Sequence, residues 1–224
     1  MMKALLLADI HGIYDHIDPL LTTDPDCLFI AGDVTQMGPV EEISALTRRL
    51  ALPVLAVPGN CDPRESLACL DNSDAVCLHG SSITFGSVTI AGIGGSNPTP
   101  FDTPFECSEE EIDATLENLL KRMQKNKTNI LISHAPPFGL LDEVSPEVHV
   151  GSASIRKHLG AFDLVCCAHI HEQRGVVKEG DTWVVNPGPA SEGYGALIQI
   201  GDEDGEIEIK LISVAPAEAQ DNSA

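Results

Sequence analysis

Five short, mostly apolar runs of this chain each end close to a lone oxygen or imidazole donor. Ala4–Ala8 leads to Asp9, Cys27–Ala31 to Gly32 and Asp33, and Val54–Val57 to Pro58, Gly59 and Asn60. Asn129–Ser133 leads to His134 and Leu164–Ala168 to His169. Apolar runs of this length, bounded by Gly, Pro, Asn or Asp, read as strands buried on both faces. After the second run, Val40, Ile43, Leu46 and Leu50 keep near-helical spacing. Strand–helix alternation of this kind argues for βαβ units with parallel strands, hence an α/β fold. In open α/β sheets ligands bind beyond the carboxyl ends of the strands, so these exits can converge on one place.

The middle and the end of the chain are organised differently. Ser82–Phe85 and Val88–Ile93 flank Gly86-Ser87, a pair suited to a tight hairpin turn. Gly92–Pro100 reads as a loop. Ser108 with Glu111 has the spacing of a capping box, opening a helix with Ile112, Leu116, Leu119, Leu120 and Met123 on one face. Ala135–Val150, with Pro136, Pro137 and Pro146, reads as a long loop, and Ser152–Leu159 as a short helix. Gly175–Val177, Thr182–Val185, Gly195–Ile200 and Ile207–Val214 read as strands, with turns at Glu179-Gly180 and Asp202–Gly205, and antiparallel pairing fits such short separations. A single domain over 1–215 is expected, followed by a disordered acidic tail at 216–224.

Composition narrows the function. The net charge of −21, from 34 acids and 13 bases, opposes binding to a nucleic-acid backbone or to anionic lipid. The seven cysteines are odd in number and form no C-x-x-C pair, and several lie in apolar runs, which fits a reducing compartment. The first apolar run is too short for a signal peptide or a membrane span, so a cytoplasmic protein without a membrane partner is expected.

Asp9-Ile10-His11 and His169-Ile170-His171 pair donors two residues apart, and Asp33, Asn60 and His134 stand singly at the other exits. Gly12, Gly32 and Gly59 permit tight backbone paths beside them. Oxygen and imidazole donors recurring at strand exits point to two hard or borderline divalent metals and to metal-assisted hydrolysis.

The ordered set resembles the calcineurin-like metallophosphoesterase superfamily. It consists of Asp9-Ile10-His11, Gly32-Asp33, Gly59-Asn60-Cys61-Asp62, Ser133-His134 and Ala168-His169-Ile170-His171. Ile132–Pro137 and Val185-Asn186-Pro187-Gly188 resemble its small stand-alone prokaryotic phosphoesterases. The resemblance implies a four-layer α/β/β/α sandwich of two mixed sheets flanked by helices. It implies that Asp9, His11, Asp33 and His171 hold one ion, that Asn60, His134 and His169 hold a second, and that Asp33 bridges. Asp62 would orient a neighbour by hydrogen bonding. The donor set suits Mn, Fe, Ni or Zn. The implied activity is a phosphohydrolase in which a metal-bridging hydroxide attacks a small phosphoester in line.

Two positions depart from the family pattern. Cys61 stands where the family commonly has a His that protonates the leaving oxygen or stabilises phosphoryl charge, and Ala168 stands where Gly often precedes H-x-H. His149, in the loop after His134, is either a substitute for that imidazole, folded over the site, or a surface histidine. Arg156, Lys157 and Asn97 are weaker candidates for phosphate contact. The missing His favours a phosphodiesterase. A phosphomonoesterase and a non-catalytic scaffold that binds partner proteins are the alternatives, and homo-oligomerisation is left open.

Overall fold

The computed structural model describes residues 1–201 and 205–214. Its strands are β1 (Met2–Leu7), β2 (Cys27–Ala31), β3 (Val54–Val57), β4 (Ala75–Cys77), β5 (Ser81–Phe85), β6 (Val88–Ile93), β7 (Thr128–Ser133), β8 (Glu143–Ser145), β9 (Val148–His149), β10 (Leu164–Cys166), β11 (Gly175–Glu179), β12 (Thr182–Asn186), β13 (Tyr194–Ile200) and β14 (Ile207–Ser213). The helices are α1 (Ile17–Leu21), α2 (Glu41–Arg49), α3 (Ser66–Asp71), α4 (Glu109–Arg122) and α5 (Ala153–His158).

Two mixed six-stranded sheets result, in the orders β14-β13-β1-β2-β3-β4 and β11-β12-β10-β7-β6-β5. The runs β1 to β4 pair in parallel, as do β6, β7, β10 and β12, while the late strands β11, β13 and β14 pair antiparallel. The inner faces meet in one core. On β1, Ala4 and Leu6 point into it beside Phe29, Leu55 and Val57, and they meet Ile90, Ile130, Ile132 and Leu164 of the other sheet. The alternate residues Leu5 and Leu7 pack outward with Ile17, Ile43, Leu46 and Leu70 of α1 to α3. Behind the second sheet, Ala91, Leu131 and Val165 pack on Ile112, Leu116 and Ile155 of α4 and α5. Strands covered on both faces have no solvent side, which is why they read as continuous apolar runs. The expected four-layer α/β/β/α sandwich is the fold.

Local signals translate directly. Phe85 pairs with Val88 across Gly86-Ser87, and Gly86 takes φ +55°. The Ser108 hydroxyl accepts from the Glu111 N–H while the Glu111 carboxylate accepts from the Ser108 N–H, closing the capping box at α4. The stretch Ala135–Val150 is not a plain loop. It holds the small antiparallel pair β8–β9, tied down by buried Asp142, whose Oδ2 accepts from the N–H groups of Gly139 and Gly151. The elements α1, α3 and β4, each of three to six residues, carry too short a pattern to be read from periodicity. The domain limit at 215, the tail 216–224 and most of the turn Asp202–Gly205 lie outside the described residues. Among the described residues no helix is long and apolar enough to cross a membrane.

Phe29 is fully buried between the sheets. Phe29→Ala is expected to lower the unfolding free energy by about 3–5 kcal/mol, read from urea denaturation. A loss below about 1 kcal/mol would contradict this packing.

Candidate metal centre

The carboxyl ends of β1, β2, β3, β7 and β10 lie together. The turn leaving β1 is stitched to the turn leaving β2: the N–H groups of Asp9, Ile10 and His11 donate to the carbonyls of Gly32, Asp33 and Asp33 at 3.1, 2.8 and 2.9 Å. Two glycines allow the exits of β2 and β3 to touch. A Cβ on Gly59 would stand 2.0 Å from Asp33 Oδ1, and one on Gly32 would stand 2.6 Å from both Gly59 Cα and His134 Nδ1. Asp9, His11, Asp33 and His169 take φ of 51°, 50°, 51° and 74°, a region that non-glycine residues rarely occupy. Backbone strain is thus concentrated on four of the residues singled out from sequence, and the surrounding hydrogen bonds hold it there.

These turns bring the side chains together. His11 Nε2 lies 3.3 Å from His171 Nε2 and 3.8 Å from Asp33 Oδ2. His171 Nε2 is 3.7 Å from Asp9 Oδ1. Asp33 Oδ2 is also 3.5 Å from His134 Nε2, while its Oδ1 accepts from the Cys61 N–H at 2.8 Å. Asp33 therefore faces His11 on one side and His134 on the other. Ligand atoms of Asp9, His11 and His171, of Asp9, Asp33 and His134, and of His11, Asp33 and Cys61 form groups within 4.8 Å. Asp9 thus belongs to two of these groups.

The residues fit cations. Asp9 Oδ1 is fully buried and has no hydrogen-bond partner. His134 Nδ1 lies 2.8 Å from the Ala31 carbonyl, which can only accept, so this nitrogen carries the proton. His134 Nε2 faces Asn60 Oδ1 at 2.8 Å and Asp33 Oδ2 at 3.5 Å. Three potential ligand atoms turned toward one point suit a metal ion.

Burial alone would push the Asp9 carboxyl up, but the imidazoles of His171, His134 and His11 hold it below its usual range. Burial, with the Asp9 and Asp62 charges, leaves Asp33 raised despite His134 and His11. Burial and the neighbouring His134 lower His169 to about 3, so its ring is a neutral donor at physiological pH. His171, beside Asp9, is raised. Burial and the Asp33 charge push the Cys61 thiol up, so it stays protonated.

A layer of fixed groups supports the cluster. Buried Asp62 accepts from the N–H groups of Val34, Thr35 and Gly59 and from the Thr35 hydroxyl, which ties the exits of β2 and β3 together. Ser191 donates to the Asp9 carbonyl at 2.8 Å. Asn186 donates to the Ile170 carbonyl and accepts from Gly188 N–H, which fixes the segment between His169 and His171. Sequence reading missed one support. Asn60 Nδ2 donates to Thr103 Oγ1 at 3.0 Å, and that hydroxyl donates to Glu106 Oε1 at 2.6 Å, so the Asn60 amide is held with Oδ1 toward His134. The only signal was Thr and Glu in a loop 43 residues downstream of Asn60.

Other candidates lie elsewhere. His149 Nδ1 pairs with Asp142 Oδ1 at 2.6 Å and its ring meets Phe138 edge-on. It is absent from the wall of the cavity of about 680 Å³ above the cluster, which His11, Asp33, Asn60, Cys61, His169 and His171 line. Arg156 pairs with Glu179 and Lys157 with Asp113. Asn97 Nδ2 donates to the Val150 carbonyl.

A buried carboxylate–imidazole cluster at the strand exits of a two-sheet sandwich is the arrangement of a metal-dependent phosphoesterase. The profile of the calcineurin-like phosphoesterases matches residues 2–173 of the chain, which belongs to that family. It is therefore a metal-dependent phosphohydrolase with divalent metal cofactors. It is 38% identical over 199 residues to the uncharacterized protein MJ1162 of Methanocaldococcus jannaschii, covering 85% of this chain and 89% of that one. It is 26% identical over 216 residues to the UPF0046 protein K07C11.7 of Caenorhabditis elegans, covering 86% and 71%. The structure superposes on TT1561 of Thermus thermophilus with a TM-score of 0.68 at 20% identity, covering 93% of this chain and 98% of that one.

Gly59→Ala is expected to cut retained metal at least about tenfold, measured by elemental analysis after dialysis, because the new methyl would displace Asp33. Retention equal to wild type would contradict the close approach. The Glu106 carboxyl is held at about 2: burial opposes this, but donors from Thr103 and Thr99 outweigh it. A depressed folded value contributes stability above the ordinary carboxylate range that is lost as pH falls toward 2. The stability margin of wild type over Glu106→Gln should therefore be full above about pH 4.5 and shrink below it. A margin independent of pH in urea denaturation would contradict this.

Proposed function

We propose that the protein is a phosphodiesterase of small molecules that works with two divalent ions. Asp9, His11, Asp33 and His171 would hold one ion and Asn60, His134 and His169 the other, with Asp33 between them. The oxygen and imidazole donors suit Mn, Fe, Ni or Zn. When bound, such a pair supplies Lewis-acid polarisation of the phosphoryl group and lowers the pKa of a coordinated water.

One observation carries the choice of a diester: among the described residues no Lys or Arg lines the cavity above the cluster. A monoester dianion would bring a second negative charge into a pocket without Lys or Arg among the described residues, in a chain of net charge −21. A diester brings one, which the cluster can meet.

The chain's own residues position rather than attack. Neutral His169 offers a lone pair, and Thr103 with Glu106 sets the Asn60 carbonyl oxygen toward the cluster. Asp62 holds the turns and is taken up by backbone and hydroxyl donors, so we assign it no proton transfer. Cys61 lines the cavity with its thiol protonated, a poorer donor to a leaving alkoxide than an imidazolium. His149, paired with Asp142, is assigned no part in proton transfer.

Metal-loaded enzyme is expected to cleave bis(4-nitrophenyl) phosphate with kcat/KM at least about tenfold above 4-nitrophenyl phosphate, and chelator should abolish both activities. A monoester preference would overturn the diesterase reading. Asp33→Asn should lose bound metal and turnover together. Cys61→His should raise kcat for an alkyl leaving group by about tenfold or more while leaving nitrophenolate release nearly unchanged, since that leaving group needs no proton. Equal effects on both would remove Cys61 from the leaving-group side.

A further inference from the structure

A second cavity of about 420 Å³ adjoins the one above the cluster. Phe101, His169 and His171 border both. The second is walled by Pro98, Pro100, Val144 and Val150, and no Lys or Arg lines it among the described residues. An apolar chamber thus opens directly beside the place where a phosphoryl group would sit.

Phe101 is 78% exposed, the most exposed of the large apolar side chains among the described residues, and Val144 across the chamber is 52% exposed. Apolar surface of this kind at the mouth of a polar site marks a binding surface. The ring is presented by a fixed loop. Glu106 accepts from the N–H and hydroxyl of Thr99 at 3.1 and 2.5 Å and from those of Thr103 at 2.9 and 2.6 Å, and the Phe101 N–H donates to Thr99 Oγ1 at 3.1 Å. One carboxylate therefore ties both flanks of the turn that carries Phe101. The same carboxylate holds Thr103 against Asn60, so the aromatic ring and the cluster share one rigid support. Preorganisation of this sort reduces the ordering cost of binding.

We propose that this second cavity is the subsite for a planar aromatic substituent of the phosphoester, seated against Phe101 and the two prolines. The proposal rests on the phosphodiesterase reading for what occupies the neighbouring cavity. A flat ring matches the flat faces of Phe and Pro, and ring–ring contact adds to the area buried. With no Lys or Arg lining either cavity among the described residues, and with Glu192 and Glu172 at their walls, the site favours a substrate whose only charge is the phosphoryl group itself. The shared chemistry is a single-charged phosphodiester with an aryl or nucleobase group.

Binding of inert analogues separates this from catalysis. Methyl(phenyl)phosphinate and dimethylphosphinate carry the same single charge, have no P–O ester bond to cleave and differ only in one substituent. By calorimetry on the metal-loaded protein, the phenyl compound should bind about tenfold tighter. That ratio should fall to near one in Phe101→Ser and persist in Phe101→Trp, with metal content and circular dichroism confirming that both variants are folded and loaded. Equal affinities in wild type, no binding of either compound, or an unchanged ratio in Phe101→Ser would overturn the proposal. Cyclohexyl(methyl)phosphinate binding as tightly as the phenyl compound would overturn the aromatic preference. Failure to hydrolyse any diester would overturn the phosphodiesterase reading, while a phenyl preference that depends on Phe101 would still identify the subsite.

Discussion

Two carboxylates buried where the two sheets meet govern this molecule. Asp9 is inaccessible to solvent and Asp33 is 2% exposed, and they lie at the carboxyl ends of adjacent parallel strands. Leaving such charges unbalanced in an apolar interior costs several kcal/mol each. The structure answers with imidazoles from distant parts of the chain: His134 from the second sheet, His171 from beyond β10, and His11 from the turn that carries Asp9. Even so, Asp9 Oδ1 has no hydrogen-bond partner, and His134 Nε2, Asn60 Oδ1 and Asp33 Oδ2 converge on one point. The scaffold brings the beginning and the late part of the chain together around a charge deficit, and divalent cations complete it.

The same constraint explains the local backbone. Glycine at 32 and 59 and left-handed φ at Asp9, His11, Asp33 and His169 allow the chain to turn sharply and aim each side chain inward. Asp62 and Ser191 then hold the turns through backbone groups. Function here depends on strained turns held by hydrogen bonds, mounted on strands that are themselves fully packed.

Much of this was legible in the sequence because burial on both faces leaves a strong mark. The apolar runs that became β1, β2, β3, β7 and β10 ended at donors, and the structure groups Asp9, Asp33 and His134, sets Asn60 against His134 and stacks the His169 ring edge-on to it at 5.1 Å. The capping box of α4 and the Gly86-Ser87 hairpin were readable because their chemistry is local. What escaped depends on contacts between distant residues. The Thr103–Glu106 support of Asn60 has no spacing rule, since a loop can meet a strand exit at any separation. The β8–β9 pair was hidden in a Pro-rich stretch because its anchor, Asp142, acts only once buried. His149 looked available from its position after His134, but a carboxylate seven residues before it already holds the ring.

The central claim is that the acceptors around Asp9, Asp33 and His134 form a two-ion site bridged by Asp33. Anomalous scattering from crystals grown with manganese tests it directly. The account predicts two peaks, one within bonding distance of Asp9, His11 and His171 and the other within bonding distance of Asn60, His134 and His169, with Asp33 contacting both. A single peak, or peaks away from Asp33, would contradict it.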